Sequence, residues 1–78
     1  MQSKMKETSD LVLASYLFTL GYKLRGTQRN HANRRLTFIF EASTGLEKDV
    51  LAFVNHEARV DPLGFIEAYK NLKSMTYS

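Results

Sequence analysis

The run Leu11-Val12-Leu13-Ala14-Ser15-Tyr16-Leu17-Phe18-Thr19-Leu20 constrains the fold of this chain more than any other stretch. Leu13, Tyr16, Leu17 and Leu20 recur at helical spacing, and Leu11, Ala14 and Phe18 form a second apolar stripe on the other side. A helix that is apolar nearly all round must be covered on two sides. Thr8-Ser9-Asp10 offers N-cap candidates before it, and Gly21 supplies the left-handed residue that commonly ends a helix. The pattern predicts a first helix over about residues 9–20 as the hub of the fold.

What can cover that hub is limited by size. The chain has 78 residues, and a domain this short buries only about 60% of the surface that its unfolded form exposes. It contains no cysteine, so disulfides and thiolate metal sites are excluded. His31 and His56 lack metal-ligand spacing, so neither a metal nor a cofactor is expected. A partner subunit is the remaining aid. The reading therefore expects a homo-oligomer that buries Leu11, Ala14 and Phe18 across a symmetric contact. Coverage of that stripe by a C-terminal helix is the alternative.

The remainder reads as an α+β domain. Residues 1–7 look like a frayed start of a single domain spanning 1–78. Tyr22-Lys23-Leu24-Arg25 alternates apolar and basic, as a half-buried strand does, and Arg34 to Glu41 repeats the alternation with Leu36, Phe38 and Phe40 on one face. Ile39 falls on the other face with Thr37 and Glu41. The polar stretch from Gly26 to Asn33, with Asn30 and Asn33 as turn residues, predicts an antiparallel hairpin with a basic tip. Thr44 and Glu47 match a capping box that opens a second helix carrying Leu46, Val50, Phe53 and Val54. Ala58-Arg59-Val60 could form a short third strand. Asp61-Pro62 then restarts a helix, with aspartate as N-cap and proline at the first helical position. It runs to about Ser74 and buries Phe65, Tyr69 and Leu72. The predicted order is α-β-β-α-(β)-α, a hairpin packed against three helices. No apolar stretch reaches the roughly 18 residues of a membrane span, and a cytoplasmic protein is expected.

Several of these stretches resemble a small domain family of phage and bacterial proteins that has no assigned function. They are Ser9-Asp10-Leu11-Val12-Leu13-Ala14-Ser15-Tyr16-Leu17, Gly21-Tyr22-Lys23-Leu24, Phe38-Ile39-Phe40-Glu41, Val60-Asp61-Pro62 and Leu72-Lys73-Ser74-Met75-Thr76-Tyr77. The motifs are mostly structural. The resemblance implies a phage or mobile-element accessory protein, a setting in which small proteins bind a host component or handle nucleic acid.

Charge is the feature that bears on function. Between Tyr22 and Arg35 there are five basic residues and no acid, whereas Leu36 to Tyr69 holds six acids against two bases. Segregation of this kind speaks about partners rather than fold. The candidate ligand-binding residues are Lys23, Arg25, Arg29, His31, Arg34 and Arg35. Arginine presents a planar fork that matches phosphate bidentately, so the hairpin could hold nucleic acid or a nucleotide. Two other roles stay open. Lysine and arginine also guard exposed sheet edges against aggregation, and a basic surface can meet an acidic protein. A second functional class is an inhibitor or adaptor that acts on a host protein, such as a host defence component. The aromatic residues sit mainly at core-facing periods, with Tyr22, beside the basic strand, and Tyr77 as possible exceptions. No nucleophile elbow, glycine-rich phosphate loop or paired metal ligand is present, and no enzymatic activity is expected.

Overall fold

The computed structural model describes residues 5–32 and 34–77. Asn33, expected as a turn residue, and the first four residues of the expected frayed start lie outside the described residues. The described elements are β1 (Met5–Thr8), α1 (Leu11–Thr19), β2 (Leu24–Arg29), β3 (Leu36–Glu41), α2 (Leu46–Val54) and α3 (Pro62–Met75). The α+β class holds: three helices accompany one antiparallel sheet of strand order β1-β3-β2.

Two expectations about strands are corrected. The frayed start is instead a strand from Met5, paired with β3 in the register Met5–Glu41 through Thr8–Phe38. Its cause lies in β3, whose Phe38-Ile39-Phe40 core needs a hydrogen-bonded neighbour on each side. Residues 58–60 form no strand, because β1 takes the position beside β3 that they would need. Leu36, Phe38 and Phe40 are buried on the helix side, as the period-two alternation predicts.

The hub helix is buried on two sides. Asp10 caps it, its Oδ1 accepting from the backbone N–H groups of Val12 and Leu13 at 2.9 and 3.2 Å. Leu13, Tyr16 and Leu17 join Phe38, Phe40, Leu46 and Leu72 in one core. The small residues Ala14 and Ser15, both fully buried, allow α3 to pack closely, and Ala68 is buried on α3. The Ser15 hydroxyl is satisfied by donating to the Leu11 carbonyl at 2.8 Å. This arrangement weakens the argument that a second copy must cover the second stripe: Ala14 is fully buried and Leu11 partly so, while Phe18 of that stripe stays exposed, as do Val12 and Leu20.

The helix starts divide. Asp61 caps α3 as expected, its Oδ2 accepting from the Gly64 N–H at 2.7 Å. The Thr44–Glu47 capping box does not form. Gly45 itself is the N-cap of α2, at φ +94° and without a side-chain bond, since Gly45 reaches a left-handed conformation that carries the chain past Thr44. At the far end of α2, the Glu57 N–H donates to the Ala52 carbonyl (2.8 Å) and the His56 N–H to that of Phe53 (3.2 Å). This is a Schellman motif with His56, at φ +61°, in the place glycine usually takes. His56 thus ends the helix through its backbone.

Candidate functional site

The six basic candidates do not form one cluster, and the reason is a single irregularity in β2. Leu24 pairs with Phe40 but Gly26 pairs with Ile39, so Arg25 is an extra, bulged residue. In an unbroken strand Lys23, Arg25, Thr27 and Arg29 would share a face. The bulge reverses the parity, so that Thr27 and Arg29 come to lie opposite Phe38 and Leu36 on the helix side.

Lys23 and Arg25 stay at the base of the hairpin. Arg25 Nη1 stands 3.8 Å from Glu41 Oε1, and Lys23 shares a shallow depression with Leu20, Gly21, Tyr22, Glu41 and Ser43. β2 is an edge strand, and a bulge with flanking cations is how natural edges avoid further pairing. The edge-guarding role suits these two residues.

Arg29 turns toward the helices and serves the fold. Its Nη1 donates to the Arg34 carbonyl and its Nη2 to the Thr76 carbonyl, each at 3.1 Å. Thr76 is the C-cap of α3, so the guanidinium satisfies an end carbonyl and sits at the negative pole of the helix. This contact ties the C-terminus of α3 to the hairpin tip.

The tip carries the other three candidates. The Asn30 N–H donates to the Arg35 carbonyl at 2.9 Å, and the Arg34 N–H to the Asn30 carbonyl at 2.7 Å. Asn30 Oδ1 also accepts from the Ala32 N–H at 2.8 Å, as an Asx turn does. His31, Arg34 and Arg35 are all exposed. Arg34 has φ +61°, a left-handed conformation that costs an ordinary L-residue about 1–2 kcal/mol. Glycine or asparagine fits such a position better. Beside the tip lies a polar depression lined by Gln28, Arg29, Asn30, His31 and Thr37.

Packing brings further cations to this end. α1 and α3 run antiparallel: the N-terminal turn of α3 meets the end of α1, where a Cβ on Gly64 would lie 3.6 Å from Thr19 Cγ2, while its last turn reaches the tip through Arg29. Lys70 and Lys73, both exposed, therefore approach the tip, and Lys73 Nζ sits 5.7 Å from the centre of the Tyr69 ring. Along the chain Lys70 and Lys73 form only a basic end after the acidic stretch; the packing of α3 is what brings them to the hairpin. Several acids gather at the opposite end. Asp61 caps the start of α3, and Asp49 lies in the first turn of α2. Asp10, on the tip side, is engaged as the cap of α1.

Tyr22 is not a stacking platform. Its hydroxyl donates to Asp49 Oδ2, joining the turn after α1 to the start of α2. Burial, reinforced by the hydrogen bond and the negative charge of Asp49, pushes its pKa up to about 12. Tyr16 is raised as well, chiefly by burial and then by Asp49. Tyr77, in contrast, keeps 78% of its surface exposed.

Among the described residues, no group of three or more His, Asp or Glu side chains could hold a metal ion, and no helix is long and apolar enough to cross a membrane. The family model for a domain of unknown function, DUF5659, matches residues 4–78. No curated protein and no solved structure matches the chain.

Proposed function

The chain belongs to the DUF5659 family, a family without an assigned activity, and on its surface chemistry we propose a non-enzymatic accessory protein that binds a phosphate-bearing polyanion at its basic end. The binding surface is the hairpin tip with His31, Arg34 and Arg35, extended by Lys70 and Lys73 of α3. Nucleic acid is the favoured ligand, with a nucleotide as the smaller version of the same chemistry. The phage or mobile-element setting implied by the resemblance belongs to the same proposal.

One observation carries the reading. His31, Arg34 and Arg35 are exposed together at the hairpin tip, and the Arg29 bridge between the Arg34 and Thr76 carbonyls brings the lysine-bearing end of α3 beside them. Edge protection does not account for it, because Arg34 lies in the loop between β2 and β3.

Exposed apolar side chains at Leu51, Val54, Leu63 and Ile66 favour a second reading, in which the chain docks on a host protein. Titrating a fluorescent oligonucleotide at low salt separates the two. The polyanion reading expects saturable binding that weakens in an Arg34→Ala, Arg35→Ala double variant while its circular dichroism stays unchanged. Absence of binding by the unmodified protein would refute it and leave the protein-docking reading.

A further inference from the structure

We propose that Tyr77 is a stacking platform for an unpaired base, so that the polyanion bound at the basic end is a single-stranded nucleic acid. The inference rests on the polyanion reading and narrows it.

Three observations carry it. The first is exposure. Of the four tyrosines, Tyr16 is in the core and Tyr22 is tied to Asp49. Tyr69 is half-buried, with its ring stacked on Phe65 at 6.3 Å. Tyr77 alone is largely open, at 78% exposure. An aromatic ring this exposed forfeits the benefit of burial, and a flat π-face is what a base needs.

The second is position. Arg29 Nη2 holds the Thr76 carbonyl at 3.1 Å, so the backbone next to Tyr77 is fastened to the hairpin tip. The Tyr77 N–H donates to the Ser74 carbonyl at 3.3 Å, which continues the end of α3 as a tight turn. The backbone turn that carries the ring is therefore tied to the hairpin tip.

The third is spacing. Lys70 and Lys73 are three residues apart on α3 and both exposed, and Tyr77 follows in the turn just past the helix end. The two lysines and the ring thus belong to the chain segment whose end Arg29 ties to the tip that carries His31, Arg34 and Arg35. Cations along a path with an interleaved aromatic ring combine the two terms of single-strand binding: attraction to the phosphates and stacking of a base. A duplex keeps its bases stacked on one another and could use only the first term. Arg29 is a positioning residue in this scheme, because it joins the α3 ridge to the tip.

The test compares three labelled probes of equal length at one salt concentration: a single-stranded oligonucleotide (as DNA and as RNA), the same sugar-phosphate strand without bases, and the corresponding duplex. Tyr77→Ala should weaken binding of the base-bearing single strand about 5- to 150-fold. It should leave the abasic strand unchanged, and Tyr77→Phe should retain the affinity of the unmodified protein. Equal affinity for all probes, with no effect of Tyr77→Ala, would overturn the stacking assignment and leave the polyanion reading standing. A preference for the single strand that survives Tyr77→Ala would also overturn the role of Tyr77. No binding of any probe would overturn both readings.

Discussion

Replacing Arg34 with glycine should make the domain more stable and bind its ligand less well. At φ +61° the native arginine bears a left-handed penalty of about 1–2 kcal/mol. Glycine has no such penalty, but it adds about 0.4–1 kcal/mol of conformational entropy to the unfolded chain. The net gain is about 0–1.6 kcal/mol, which for a domain of this size raises Tm by up to roughly 6–13 °C. Arg34→Ala keeps the backbone strain and should be nearly neutral in stability. Both variants remove the same guanidinium and should lose affinity for a polyanion alike. His56→Gly is the control: it relieves the same strain, at φ +61° behind α2, and should raise stability without touching binding. Urea denaturation followed by circular dichroism gives the stabilities, and anisotropy of a labelled oligonucleotide gives the affinities. A fall in stability for Arg34→Gly would refute the assigned tip conformation. Unchanged affinity in both Arg34 variants would refute its functional assignment.

Three further outcomes follow from the packing. Asp61→Ala should lose about 0.5–2 kcal/mol by removing the bond to the Gly64 N–H, with oligonucleotide affinity unchanged; an unaltered denaturation midpoint would mean that this cap does not hold α3. Arg29→Ala should cost about 1–3 kcal/mol, since it frees the carbonyls of Arg34 and Thr76, and chemical denaturation measures that loss. Tyr22 has its folded-state pKa raised from 10 to about 12, so the folded form holds its proton more tightly than the unfolded one. The stability it contributes is complete below about pH 10 and is lost as pH rises toward 12. Denaturation midpoints measured from pH 9 to 12 should therefore fall more steeply for the unmodified protein than for Tyr22→Phe, and parallel curves would contradict the assignment.

Much of the architecture was legible because single residues carried it. The alternation of Leu36, Phe38 and Phe40 located the core face of β3, and Asp61-Pro62 located the start of α3. The N-terminal strand was harder to see, since Met5-Lys6-Glu7-Thr8 mixes charge and apolar character as edge strands do. Its signal was Ile39, an apolar residue on the outer face of β3 that marks a central strand more than one arm of a two-stranded hairpin. The capping box failed because Gly45 reaches a left-handed conformation that Thr44 and Glu47 could not reveal.

The basic residues were visible, but their sorting was not. Gly26 inside a strand was a hint of the bulge, and that one extra residue decides which cations face solvent. It leaves Arg25 beside Glu41 and sends Arg29 to the end of α3. The contribution of Lys70, Lys73 and Tyr77 depends on α3 packing antiparallel to α1, with the small residues Ala14, Ser15 and Ala68 buried. Pattern along the chain shows an amphipathic helix but not the direction in which it packs.

The salt dependence of oligonucleotide binding tests the central claim most directly. If Arg34, Arg35, Lys70 and Lys73 each neutralise a phosphate, the logarithm of the binding constant should fall with the logarithm of salt concentration with a slope of about −3 for a single strand. Removing Arg34 and Arg35 should bring that slope to about −1.4. A slope near zero, or the same slope in the double variant, would contradict binding of a phosphate backbone at the hairpin tip.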